Sequence, residues 1–312
     1  MFLGIEIGGT KLQLGLGAGD GTISALWRGG VDRSAGGDGI RRQITAAVPE
    51  LLAESKIDRS QLRGVGVGFG GPTDDATQSV IKSHHIAGWD GFPLADWLTE
   101  MLGLPTVICN DADVAGLAEA LFGAGKGLSP IFYITVGTGV GGGLIIDGEI
   151  YRGVGRGAAE IGHIVITEGD DDERDLIVED YSSGLGIERA AAKMASGGGM
   201  FDHLDLTQPI TAKAVAEAAK LGDYRARRLY RMATDSLATA INHVVTLLCP
   251  RRVIIGGGVS LIGEELFFEP IRRYVAERGM QALAGLTDIV PAALGEEVVI
   301  HGALALARRR LK

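Results

Sequence analysis

Two segments of the chain, IEIGGTKLQLGL at 5–16 and ITVGTGVGGGLII at 134–146, follow one plan: an apolar run, a turn of Gly and Thr, and a second apolar run. Ile- and Leu-rich runs joined by such a turn read as a β-hairpin. The same hairpin opening each half of the chain points to a degenerate duplication and, with strands and helices alternating in both halves, to an α/β architecture rather than a plain helical bundle.

The surrounding pattern agrees. After the first hairpin come a strand at Ile23 to Arg28, a helical period over Gly39 to Ser55, and a strand at Val65 to Phe69. A short helix from Pro93 to Leu102, a strand at Thr106 to Cys109 and a helix from Asp111 to Phe122 follow. The second half restarts with a strand at Ile131 to Val136, the glycine turn, a strand at Leu144 to Ile146 and a turn at Asp147-Gly148. It is mostly helical from Tyr181, with one long periodic stretch from Tyr224 to Leu248. A strand at Arg252 to Ile255 ends in Gly256, Gly257 and Gly258, and a helix from Val298 to Leu311 closes the chain. The expected division is a smaller lobe over 1–112, completed by the C-terminal helix 298–312, and a larger lobe over 113–297, with ligands in the crevice between them.

Composition narrows the function. The 312 residues exceed the usual ~150 per domain. A net charge of −9 argues against a nucleic-acid partner, which phosphate contacts would require to be basic. Two cysteines, Cys109 and Cys249, cannot build a disulfide framework or a Cys-rich metal site. With neither a signal sequence nor a run of ~18 apolar residues, the chain is expected to be soluble and cytoplasmic. The 49 glycines, about twice the usual share of ~7%, fall in short runs after apolar stretches, where backbone approaches something closely.

Glycine turns let backbone N–H groups reach phosphate oxygens, and Thr10, Thr138 and Lys11 can add hydroxyls and a charge. Each turn taken alone is equally well an ordinary hairpin. Gly137, Gly139 and Gly142 match G-x-G-x-x-G, but a strand follows where a dinucleotide site needs a helix. A G-x-x-x-x-G-K-[ST] loop is also lacking. Asp111 follows a strand and opens a helix, so it reads either as an N-cap or as a carboxylate mounted at a strand end within reach of a hydroxyl. Glu160 and His163, at i and i+3, lie on one face of a helix or aim together from a turn; surface residues are the plainer alternative. Glu160 and Glu179 suit a sugar because each carboxylate accepts hydroxyl hydrogen bonds.

The ordered set IEIGGTK at 5–11, GFGGP at 68–72, AGW at 87–89, ND at 110–111, GAGKG at 123–127, ITVGTGVGGG at 134–143, AEIGH at 159–163, EDYSSG at 179–184 and IIGGGVS at 254–260 resembles the ROK family of sugar kinases and repressors. The resemblance covers nearly the whole chain. It implies an α/β, two-lobed actin-like ATPase (ribonuclease H-like) fold with an interlobe cleft, shared with hexokinase and Hsp70. It also implies ATP and Mg²⁺, with Gly8, Gly9, Thr10, Lys11, Gly137, Thr138 and Gly139 around the phosphates and Gly257 and Gly258 beside the adenosine. By the same resemblance Gly71, His85, Asn110, Asp111, Glu160, His163 and Glu179 face the sugar, and Asp111 is the catalytic base.

Three departures stand out. Family members often hold zinc with the His of E-x-G-H and three cysteines, whereas 168–178 here reads EGDDDERDLIV, so no zinc is expected. Glu6 stands where Asp is commoner and can still hold Mg²⁺ through water. His85 stands where Asn often precedes the A/P-G-W turn, which changes the donors offered to the sugar. The expected activity is glucokinase-like phosphorylation of a hexose hydroxyl. Fructose, N-acetylmannosamine and N-acetylglucosamine remain open as acceptors, as does a non-catalytic sugar-sensing role, and a homo-oligomer such as a dimer is expected on family grounds.

Overall fold

A computed structural model describes residues 1–83, 86–169 and 174–311. The elements in chain order begin with β1 (Phe2–Ile7), β2 (Lys11–Gly17), β3 (Ile23–Gly30), α1 (Gly36–Ser55), β4 (Val65–Phe69), β5 (Thr73–Asp74) and β6 (Ser79–Val80). Next are α2 (Leu94–Leu102), β7 (Thr106–Asn110), α3 (Asp111–Phe122), β8 (Ile131–Val136), β9 (Val140–Ile146) and β10 (Glu149–Ile150). Then follow β11 (Val165–Thr167), β12 (Leu176–Ile177), α4 (Val178–Ser182), α5 (Gly184–Ser196), α6 (Ala212–Lys220) and α7 (Tyr224–Leu248). The chain ends with β13 (Arg252–Gly256), α8 (Glu269–Arg278), β14 (Asp288–Pro291) and α9 (Val298–Arg310).

The chain divides into two compact units. The first comprises Met1–Gly127, Gly143–Ala158 and Ala293–Lys312, and the second comprises Leu128–Gly142 and Ala159–Ala292. Compared with the expected division after residue 112, the first unit also takes α3 and residues 143–158, because α3 packs against α9, β4 and β10.

In the first unit the sheet order is β3-β2-β1-β4-β7. β1 pairs antiparallel with β2 and parallel with β4, so it lies in the middle of the sheet. Every residue of β1 is buried, as a strand covered on both faces requires. One cover is the core that Ile5, Ile7, Leu12 and Val67 share with Ile40, Ile44 and Leu51 of α1 and Leu98 of α2. The other is α9, whose Ile300 and Leu304 pack on Phe2. Glycine makes that approach feasible: a Cβ at Gly66 would sit 1.9 Å from the carbonyl oxygen of Ala303. The buried carboxylate of Glu119 on α3 fixes the chain leading into α9, accepting the N–H groups of Ala293 and Leu294 at 2.9 Å each.

The second sheet has the order β10-β9-β8-β13-β14, with β13 parallel to both β8 and β14. β9 begins at Val140 rather than at the expected Leu144, since Gly141, Gly142 and Gly143 are extended and belong to the strand. In the second unit α7 buries Leu229, Tyr230, Ala233, Leu237, Ile241, Val244 and Val245, the 3.6-residue stripe of a core helix. Asp223 caps it by accepting the N–H groups of Arg225 and Ala226.

Candidate functional site

In the first unit the glycine turn between β1 and β2 closes with the Gly8 N–H donating to the Lys11 carbonyl at 3.0 Å. Gly70, just beyond β4, donates its N–H to the Ile7 carbonyl at 2.8 Å. A Cβ at Gly70 would lie 3.4 Å from Oδ2 of Asp111 and 3.6 Å from Cα of Gly8. The turn, the Gly70-Gly71 segment and the Asp111 carboxylate therefore adjoin one another.

Local sequence explains how Asp111 is presented. Asn110 ends β7 and caps α3, its Oδ1 accepting the N–H groups of Ala112 at 2.9 Å and Asp113 at 3.3 Å. The same amide donates through Nδ2 to the Gly71 carbonyl at 3.1 Å. Asp111 is thus the first helical residue and the N-cap is Asn110, so the expectation of Asp111 as the cap is not met. A carboxylate in the first turn is also favoured by the helix dipole.

Glu6 and Lys11, assigned separately to magnesium and phosphate, form an ion pair at 3.0 Å, and Lys11 Nζ also donates to the Glu296 carbonyl at 3.0 Å. Glu6 is only 4% exposed. Its burial pushes the carboxyl up to about 7; Lys11 pulls the other way, and the charges of Asp111 and Glu296 add to the rise. Its Oε2 is buried with no hydrogen-bond partner. A buried carboxylate with an unoccupied oxygen suits the neighbourhood of a hydrated cation, so the residues present fit Mg²⁺. Arg33 was not singled out by sequence, yet its Nε donates to the Gly9 carbonyl at 2.7 Å and places a second cation on this turn. The only signal for it was a basic residue shortly after β3. His85 lies outside the described residues.

In the second unit Gly137 donates its N–H to the Gly139 carbonyl at 2.9 Å, and the Gly137 carbonyl accepts from Gly184 at 2.7 Å. Glu179, at the start of α4, accepts the Val140 N–H through Oε2 at 2.8 Å. A Cβ at Gly139 would come within 2.5 Å of that oxygen. Glu160 and His163 are exposed and bracket a single tight turn, with the His163 N–H donating to the Glu160 carbonyl at 3.0 Å. That turn rests on β9, since a Cβ at Gly162 would lie 2.1 Å from the Val140 carbonyl oxygen. Gly257 adopts φ of +89°, and a Cβ there would strike the backbone of Val136 at 2.5 to 2.7 Å, so only glycine fits. Glu160, His163, Glu179, Gly137, Thr138, Gly139, Gly257 and Gly258 are thereby gathered around the ends of β8, β9 and β13.

Among the described residues, no cluster of three or more His, Cys, Asp or Glu has metal-binding geometry. No helix among them is long and apolar enough to cross a membrane.

Comparison with known proteins gives this geometry its context. The family model described as ROK matches residues 2–310. A glucokinase from Halalkalibacterium halodurans is 32% identical over 313 residues, covering 96% of this chain and 93% of its own. A xylose repressor from Caldicellulosiruptor bescii is 27% identical over 248 residues, covering 78% of this chain and 62% of its own. Among solved structures, a ROK family glucokinase from Streptomyces griseus in complex with glucose and AMPPNP is 30% identical, covers 99% of both chains and superposes with a TM-score of 0.80. With motifs, sheets and whole-length likeness in agreement, the chain belongs to the ROK family and has the two-lobed actin-like ATPase fold of its kinases.

Proposed function

We propose that this protein is an ATP-dependent sugar kinase that transfers the γ-phosphoryl group to a hexose hydroxyl, with glucose as the first candidate acceptor. The observation that carries the reading is the Asp111 carboxylate resting against Gly70 and the Gly8 turn while Asn110 takes over the helix cap. A carboxylate at a strand end beside the glycine turn is placed to meet a hydroxyl. The glucokinase relatives, one of them bound to glucose and AMPPNP, support the same assignment.

In this reading Asp111 accepts the hydroxyl proton late, as the bond to phosphorus forms, because a side-chain carboxylate is too weak a base to remove it beforehand. The turns of Gly8, Gly9 and Thr10 and of Gly137, Thr138 and Gly139, with Lys11, hold the phosphates, and Gly257 and Gly258 lie against the adenosine. Glu6 would hold Mg²⁺ through water, and the ion would supply neutralising charge at the phosphates. Asn110, Glu160, His163 and Glu179 take the sugar hydroxyls, with Gly71 beside them. No zinc is required.

ADP release from MgATP against a panel of hexoses and N-acetylhexosamines tests this and names the acceptor. Sugar-dependent turnover is expected, unaffected by a zinc chelator and lowered about 10²- to 10⁴-fold by Asp111→Asn. Sugar or nucleotide binding without turnover on any acceptor would instead identify a sugar sensor, in keeping with the repressor relatives.

A further inference from the structure

Among the described residues of the first unit, away from those assigned to substrate, Arg152 is a deeply buried cation. The Arg152 side chain is 7% exposed and follows β10. Its Nε donates to Asp75 Oδ1 at 3.0 Å, its Nη1 to Asp113 Oδ2, and its Nη2 to the Thr73 carbonyl at 2.9 Å and hydroxyl at 3.2 Å. The Asp113 side chain is 2% exposed and Thr73 is fully buried. Two contacts brace the same junction from the backbone and the rim: Asp75 N–H donates to the Gly155 carbonyl at 2.9 Å, and Arg156 pairs with Asp74 at 3.1 Å.

Each partner of Arg152 leads back to Asp111. Asp113 lies in the first turn of α3, two residues after Asp111, and its N–H is held by the Asn110 cap. Thr73 opens β5, directly after the Gly70-Gly71-Pro72 segment on which the Asp111 carboxylate rests. One planar guanidinium therefore spans both the helix turn that bears the carboxylate and the strand that continues from the surface beneath it. Stability alone does not demand such a residue, since apolar side chains of similar volume commonly replace buried ion pairs at no cost. A rigid fork with its donors satisfied in fixed directions is suited to holding two segments in register.

We propose that Arg152, through Asp113 and the Thr73–Asp75 segment, is a positioning residue that sets the Asp111 carboxylate for proton acceptance. The inference rests on the kinase reading. Misplacement of a reacting group by about 1 Å can cost on the order of 10²-fold in rate, whereas the grip on either substrate is left to other residues. The expected signature is a loss of kcat without a matching change in KM.

The test compares wild type, Arg152→Met and the double variant Arg152→Met/Asp113→Asn in the full chain, measuring kcat, KM for sugar, KM for MgATP and Tm. Arg152→Met strands a buried carboxylate, so Tm falls; kcat is expected to drop about tenfold or more, with both KM values within about twofold of wild type. Neutralising Asp113 in the double variant relieves the stranded charge and brings Tm back toward wild type, while kcat stays low. Recovery of kcat in step with Tm, or an Arg152→Met enzyme with wild-type kcat, would overturn the positioning role and leave the kinase reading intact. A wild-type protein that turns over no sugar would sink the kinase reading and this inference with it.

Discussion

At the scale of single residues, Glu6 is the group whose state depends most on its surroundings. Its carboxyl titrates near 7 rather than near 4.5 because burial disfavours the charged form more than Lys11 restores it. The folded protein thus binds a proton between those values that the unfolded chain has released. Its contribution to stability is fully present below pH ~4.5 and is lost as the pH rises through about 7, a difference on the order of 3 kcal/mol. Glu6→Gln, which cannot ionise, should flatten the decline of Tm between pH 5 and pH 8; an unchanged slope would show that Glu6 is already charged across that range. The ion pair behind this behaviour was hidden in the sequence. It depends on hairpin register, which sets Ile7 opposite Leu12 and so brings Lys11 back beside Glu6. By contrast, Asp111 was legible as a cap or a carboxylate at a strand end, and the cap proves to be Asn110.

At the scale of elements, the proposed chemistry falls on α3, whose first turn is fixed by Asn110. Asn110 makes two capping bonds and one bond to Gly71, so the two roles separate by substitution. Asn110→Ala should cost about 1 kcal/mol in urea denaturation and also depress turnover. Asn110→Asp keeps a good capping oxygen but loses the donor to Gly71, so stability should return while turnover remains impaired. Loss of no stability in the alanine variant would remove Asn110 as the cap. Long elements were readable because period is repeated many times over: α7 was expected from Tyr224 to Leu248 and is found there. The start of β9 was not, since three successive glycines offer no side-chain alternation to read. Two-residue strands such as β5 and β12 are likewise too short to carry a period. Arg152 escaped notice for another reason: its partners at 73, 75 and 113 come from segments far apart in the chain, and only folding makes them neighbours.

At the scale of the whole molecule, substrates that bind only the native state must stabilise it. A ligand at 100 times its Kd adds about 2.7 kcal/mol, or a Tm rise of about 5 °C for a protein this large. Mg²⁺ with AMPPNP, and glucose by itself, should each give such a shift in a thermal melt. A chain indifferent to both at millimolar concentration would argue against the substrates proposed. The duplicated glycine hairpins and the alternation of strands and helices made the fold class legible at this scale. The assignment of α3 and residues 143–158 to the first unit was not, because it is decided by helix packing rather than by order along the chain.

The backbone of Val140 bears on how such a protein changes over time. Its N–H is taken by the Glu179 carboxylate, and its carbonyl lies under Gly162 in the turn of Glu160 and His163. Under the proposed function, the loop assigned to phosphate and the three side chains assigned to the acceptor thus meet at one residue. Substitutions that retuned preference for the phosphoryl donor would then carry over to preference for the acceptor, so a lineage switching sugars within this framework would have to revise both in concert.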